Sequence, residues 1–173
     1  PEDLAGRVTE GVVQSSIDSA TWDGELVAIP FWANTQLLWY RKDLVPNPPR
    51  TWTEMLSQAE ALARQGKPHL IEIQGASYEG YTVWINSMVL SAGGRVLSAN
   101  GQQVVLGPKA AQGISLIGQL ARSPAADPSL GVQQEDQNRL AFETGRAAFE
   151  VNYPFVYPSA QENAPAIAKQ MAW

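Results

Sequence analysis

Apolar residues Met55, Leu56, Ala59, Leu62 and Ala63 recur at helical spacing behind Thr51, which stands three residues before Glu54 as the first member of a capping box. This pattern predicts a helix that Gly66 ends. Two further helices are predicted over Tyr81 to Ala92, stopping at Gly93-Gly94, and over Ala110 to Ala121, with Pro108 as a first helical residue. Glu135 to Phe142 reads as a fourth, ended by Gly145. Between them lie short aliphatic and β-branched runs that read as strands. These are Glu25 to Ile29 after the turn Asp23-Gly24, then Leu37 to Tyr40 and Leu70 to Ile73, then Val104 to Leu106 after a hairpin-like Asn100-Gly101, and Ala147 to Val151. Pro30 closes the first, and the prolines of Pro46 to Arg50 make a rigid non-helical connector. Strands alternating with helices predict an α/β layered domain.

The chain has 173 residues, 45% hydrophobic and 17% charged, enough for one core or one and a fraction and too apolar for disorder. No apolar run reaches the roughly 18 residues of a membrane helix. Pro1 to Glu10 carries three acidic side chains and no signal-peptide pattern, so a targeting segment is expected upstream if the protein is exported. A net charge of −5, with 12 Lys and Arg scattered along the chain, provides no basic stripe for nucleic acid. There is no cysteine and one histidine, His69, in the linker-like Gly66-Lys67-Pro68-His69. Thiolate chemistry, disulfides and zinc clusters are excluded, no metal or other cofactor is expected, and His69 is expected in an exposed loop.

Three stretches carry candidate chemistry. Phe31, Trp32 and Asn34 follow a predicted strand end, where open α/β sheets hold ligands. Asn34 can donate to and accept from sugar hydroxyls. The competing reading makes Phe31 and Trp32 core and Asn34 a turn former. Tyr78-Glu79-Gly80-Tyr81-Thr82-Val83-Trp84 joins aromatic faces, which stack on pyranose rings, to a carboxylate, which accepts hydroxyl protons. Trp84, at helical spacing with Tyr81 and Met88, fits a buried face better than a ligand contact. The third set is Glu135, Asp136, Glu143 and Glu150 with the turn Asn152-Tyr153-Pro154-Phe155. Paired carboxylates fit glycoside hydrolysis, whereas Glu135 and Asp136 also suit a helix N-terminus.

Gly24 to Pro30, Leu38 to Leu44, the proline connector with Thr51-Trp52, Ala92-Gly93-Gly94 and Phe142 to Pro154 resemble, in this order, the extracellular solute-binding proteins of carbohydrate ABC importers. Within that family, Pro30 to Leu44 and Glu150 to Val156 resemble most closely the trehalose-binding lipoproteins of mycobacteria and related actinobacteria. The resemblance implies a type II periplasmic-binding-protein-like fold of two α/β lobes that close on a disaccharide. It implies that 1–31 is the end of the first lobe and the approach to the hinge, and 32–173 an incomplete second lobe. Asn34 matches an amide at the crossing, Glu135 a carboxylate of the second lobe, and Tyr153 an aromatic platform that is usually Trp. Trp32, Glu79, Tyr81 and Phe155 complete the expected contacts.

The implied function is capture of an α-linked disaccharide, trehalose first, and its delivery to the transmembrane subunits of an ABC permease. The expected location is the outer face of the plasma membrane, with a lipidated segment upstream as anchor. No catalysis is expected. The rivals are a glycosidase using Glu135 with Glu143 or Glu150, and an interaction domain with exposed aromatics. A lobe parted from its partner is also expected to be marginally stable or to self-associate.

Overall fold

The computed structural model describes residues 2–173, in two compact units, Pro1–Thr35 and Gln36–Trp173. The first unit holds helices α1 (Glu2–Thr9) and α2 (Gln14–Ser19) and a ribbon of β1 (Thr21–Trp22) and β2 (Glu25–Leu26). The ribbon pairs Thr21 with Leu26 and Trp22 with Glu25 across the Asp23-Gly24 turn. The strand expected over Glu25 to Ile29 therefore stops at Leu26. Its partner is only two residues long, so after Val27 and Ala28 donate to the Ala20 carbonyl the ladder has no further acceptor, and Val27 and Ile29 stay exposed.

The second unit is built on a mixed sheet of β3 (Leu37–Arg41), β4 (Leu70–Glu72), β5 (Ala147–Asn152) and β6 (Met171–Ala172), in the order β4-β5-β3-β6. β4 runs parallel to β5, and β3 antiparallel to both β5 and β6. The helices are α3 (Trp52–Arg64), α4 (Glu79–Ser91), α5 (Pro108–Ala121), α6 (Glu135–Glu143), α7 (Val156–Asn163) and α8 (Pro165–Ala168). Period-two alternation sends the strand side chains to opposite faces. Ile71, Ile73, Phe149 and Val151, with Leu38 and Tyr40, join Met55, Leu62, Trp84, Met88 and Ile117 in the larger core. Leu37 and Trp39 pack on the other face with Phe142, Val156 and Met171.

Local chemistry sets the helix ends. Thr51 Oγ1 accepts the Glu54 amide at 3.1 Å, but the Glu54 carboxylate takes the amide of Arg50, at 2.6 Å, instead of closing the expected box on Thr51. Gly66 adopts φ 67°, and the Gly66 and Lys67 amides then cap the carbonyls of Ala63 and Leu62. α4 begins two residues before the expected Tyr81. The expected strand Val104 to Leu106 is reduced to a bridge between Leu97 and Val104. Its side chains are exposed, so no second layer rewards a longer ladder. His69 is half-buried in the α3–β4 connector rather than free in solvent, its Nδ1 lying 2.7 Å from the Lys67 carbonyl oxygen.

Candidate functional site at the strand ends

The parallel strands β4 and β5 end on the same edge, and each passes its chain to a loop that carries polar aromatics. β5 leads into Tyr153 and Pro154 before α7, and β4 leads through Gln74 and Gly75 to Tyr78 and the first residue of α4, Glu79. α6 begins with Glu135, a position where the helix dipole favours a negative charge. Tyr78 and Tyr153 both lie in the field of the Glu79 and Glu135 carboxylates. Burial first, then that negative charge, pushes both phenols above their ordinary pKa, so each remains a neutral hydroxyl donor. The Tyr78 hydroxyl is closed off from solvent and has no hydrogen-bond partner. Its ring folds over the helix start at a place where any Cβ on Gly80 would collide with it.

A chain of buried amides anchors these loops. Gln74 Nε2 donates to Asn138 Oδ1 at 3.0 Å and to the Val151 carbonyl at 2.9 Å, and Asn138 Nδ2 donates to the Ile73 carbonyl and Gln133 Oε1, each at 3.0 Å. Gln36 Nε2 donates to Gln74 Oε1 at 2.8 Å. The Gln133 carbonyl accepts the amides of Gly75 and Ala76. Asn152 Nδ2 donates to the Glu135 carbonyl at 2.9 Å and to Glu150 Oε1 at 2.6 Å, while its Oδ1 accepts the Tyr153 amide at 2.8 Å.

Residues 1–170 match the family described as bacterial extracellular solute-binding protein. The chain belongs to this family. It is 31% identical over 168 residues to a probable ABC transporter-binding protein of Deinococcus radiodurans, covering 88% of this chain and 39% of that relative. Maltose-bound MalE3 of T. maritima superposes with a TM-score of 0.85 at 28% identity, over 96% of this chain and 44% of the other. An Arthrobacter chlorophenolicus sugar transporter with bound laminaribiose matches at TM-score 0.77 and 18% identity, over 98% of this chain and 43% of the other, a likeness of fold. The solute-binding protein chain thus spans less than half of each relative, and the expected α/β periplasmic-binding-protein-like fold is the one observed.

Of the residues singled out in the solute-binding protein's sequence, the structure brings Glu79, Glu135 and Tyr153 together and adds Tyr78. Phe155 is 39% exposed at the start of α7. Tyr81 packs against Trp84, ring centroids 6.0 Å apart, and against the larger core. Trp84 is buried, as its spacing indicated. Asn34 and Trp32 belong to the first unit and are exposed; at 92% and 80% exposure, Phe31 and Trp32 are not the core residues of the alternative reading. A cavity of about 600 Å³ walled by Leu38, Trp52, Ser87, Gln112 and Val151 contains none of the clustered carboxylates or phenols. The strand ends, where those groups converge, are therefore the better candidate. Sequence reading missed Gln74, Gln133 and Asn138; their signal is polar residues recurring beside apolar strand and helix positions.

The other acidic candidates have structural partners. Arg139 donates to Asp136 at 3.3 Å and to Glu143 at 2.8 Å, and Ser159 donates to Glu143 at 2.7 Å. Glu150 is fully buried beneath the site. Among the described residues no cluster of three or more His, Cys, Asp or Glu is placed to hold a metal ion, and no helix is long and apolar enough to cross a membrane.

Proposed function

We propose that this protein is the substrate-binding component of an ABC sugar importer, taking an α-linked disaccharide between two lobes and delivering it to the transmembrane permease. The observation that carries the reading is the convergence of Tyr153, Glu135 and Glu79 at the carboxyl ends of β4 and β5 in a chain of this family. In this reading 1–31 ends the first lobe, 32–173 belongs to the second, and Trp32 and Asn34 contribute from the crossing. Tyr153 stacks on the apolar face of a pyranose ring, and Glu135 and Glu79 accept its hydroxyl protons. Phe155 and Tyr81 extend the apolar surround. Closure excludes water, and the permease reads the closed form, so the sugar acts by shifting a population.

Trehalose is the first sugar to test, on the resemblance of Pro30 to Leu44 and Glu150 to Val156. Maltose is the second, because a 28% identical relative is maltose-bound. The site works by binding and not by turnover: Glu143 is held by Arg139 and Ser159, and Glu150 is sealed from solvent, which leaves Glu135 without a free catalytic partner from that set. The protein works outside the cytoplasm, anchored by a lipidated segment upstream.

The test is a tryptophan-fluorescence titration of the two-lobed protein with trehalose, maltose, sucrose and glucose, beside Tyr153→Ala. One disaccharide should saturate it, and the variant should bind about 1–3 kcal/mol more weakly. Silence towards all four sugars refutes the disaccharide reading, and release of glucose from trehalose on long incubation favours the hydrolase instead.

A further inference from the structure

The main-chain carbonyl and both ends of the side-chain amide of Asn152 are engaged at the seam between the sheet and the candidate site. Its residue is fully buried at the last register position of β5, opposite Leu37. Its main-chain carbonyl accepts the Trp39 indole N–H at 3.1 Å. Its two amide hydrogens serve the Glu135 carbonyl and the Glu150 carboxylate, and its side-chain oxygen accepts the Tyr153 amide. An asparagine side chain has two donor hydrogens and one carbonyl acceptor, and no other residue of this length supplies both kinds at once. An aspartate would lose both donors and set another carboxylate beside Glu150. An alanine or leucine would leave Glu150 Oε1 as unpartnered as Oε2 already is.

We propose that Asn152 is the positioning residue of the site: one side chain fixes the Tyr153 main chain and the first turn of α6 relative to each other and to the buried Glu150. The two segments it joins belong to different elements, Tyr153 leading from β5 to α7 and Glu135 opening α6 before β5. Hydrogen bonds within either helix cannot set the spacing between them. A sugar that stacks on Tyr153 while donating to Glu135 needs that spacing held to within about 0.5 Å. Asn152 itself is buried behind both and does not touch the ligand; it acts through the Tyr153 amide and the Glu135 carbonyl. The role in sugar binding rests on the disaccharide reading of Tyr153 and Glu135, while the pinning itself does not.

Two measurements separate these. In the 173-residue chain without ligand, Asn152→Ala should speed amide hydrogen exchange at Tyr153 about tenfold, whereas Glu150→Gln, which keeps an acceptor for Asn152 Nδ2, should leave it within about twofold. The amides of Ile71 and Phe149, in the sheet, should keep their protection in both variants. Unchanged exchange at Tyr153 in Asn152→Ala overturns the proposal, as does an equal loss at Ile71 and Phe149, which would make Asn152 a general stability residue. In the two-lobed protein titrated with trehalose and maltose, Asn152→Ala should weaken binding about tenfold, and adding Tyr153→Ala to it should cost less than Tyr153→Ala costs alone. Strict additivity counts against the positioning role. Failure of the unaltered protein to bind either sugar refutes the disaccharide reading, and the exchange experiment still decides whether Asn152 is the pin.

Discussion

Glu72 and Glu150 are register partners on adjacent parallel strands, and neither has any exposure. Two carboxylates cannot both stay ionised in such a place without strong compensation. Burial foremost, then the negative charge of Asp127, raises the Glu72 pKa from 4.5 to about 7. Burial likewise raises Glu150 to about 8, with Glu72 adding to the shift and the Asn152 hydrogen bond opposing it. Both folded values exceed the ordinary 4.5, so folding takes up protons. The stabilisation is complete below about 4.5 and is lost as the pH rises through about 7 and then about 8. The urea midpoint of the chain is accordingly expected to be higher at pH near 5 than near 9. Glu150→Gln, neutral at every pH, should be more stable than the parent at the alkaline end and should flatten the profile. A parent protein that grows more stable between these two conditions would contradict the assignment.

At the scale of the element, α5 meets the backbone of α4 at a residue with no side chain. A Cβ on Gly113 of α5 would lie 2.5 Å from the Met88 carbonyl oxygen and 2.8 Å from its carbon, both backbone atoms of α4 that cannot yield locally. Gly113→Val is expected to push the two helices apart at a cost of about 1–3 kcal/mol or more, read as a lower urea midpoint. The start of α3 is set by a single hydroxyl, and Thr51→Ala should cost about 1 kcal/mol because the Glu54 amide loses its acceptor. The Glu54 carboxylate bonds the Arg50 amide, not Thr51, so Glu54→Gln should be milder. A cost for Glu54→Gln equal to that of Thr51→Ala would argue that the box closes on Thr51 after all.

For the whole molecule, the two units differ in how they hold their aromatic residues. In the first, Trp22, Phe31 and Trp32 are all more than three-quarters exposed, the last two in a stretch without regular structure. In the second, Trp84, Phe142 and Phe149 are essentially inaccessible. Chymotrypsin under native conditions is therefore expected to cut first at Phe31 and Trp32, leaving a resistant piece that begins near Gln36 and contains the whole four-stranded sheet. Mass spectrometry of the early fragments checks this, and first cuts inside α4 or β5 would contradict it. The chain covers 44% of maltose-bound MalE3, and the proposed sugar cycle belongs to a protein with both lobes.

The sequence by itself determined four of the six helices of the second unit, α3 to α6, and the strands β3, β4 and β5, but not α7, α8 or β6, because apolar periodicity, the Thr51 cap and the Gly66 stop are local signals. It also brought forward Glu79, as a carboxylate among aromatics, and Tyr153, just after a predicted strand, while the family resemblance implied the sugar contacts of Glu135 and Tyr153. It overextended Glu25 to Ile29 and Val104 to Leu106, where the residues favour a strand but no partner of equal length exists. Strand length depends on the neighbour, which lies outside any local window. Only the tertiary structure decided the fate of Glu72, Gln74, Glu150 and Asn152. They alternate with Ile71, Ile73, Phe149 and Val151, a pattern shared by strands with one wet face, yet all four are fully buried, and the Gln74 and Asn152 side-chain amides bond to α6. Whether a polar strand face meets water or another layer is set by packing between distant segments, and there the alternation in sequence is the same for both outcomes.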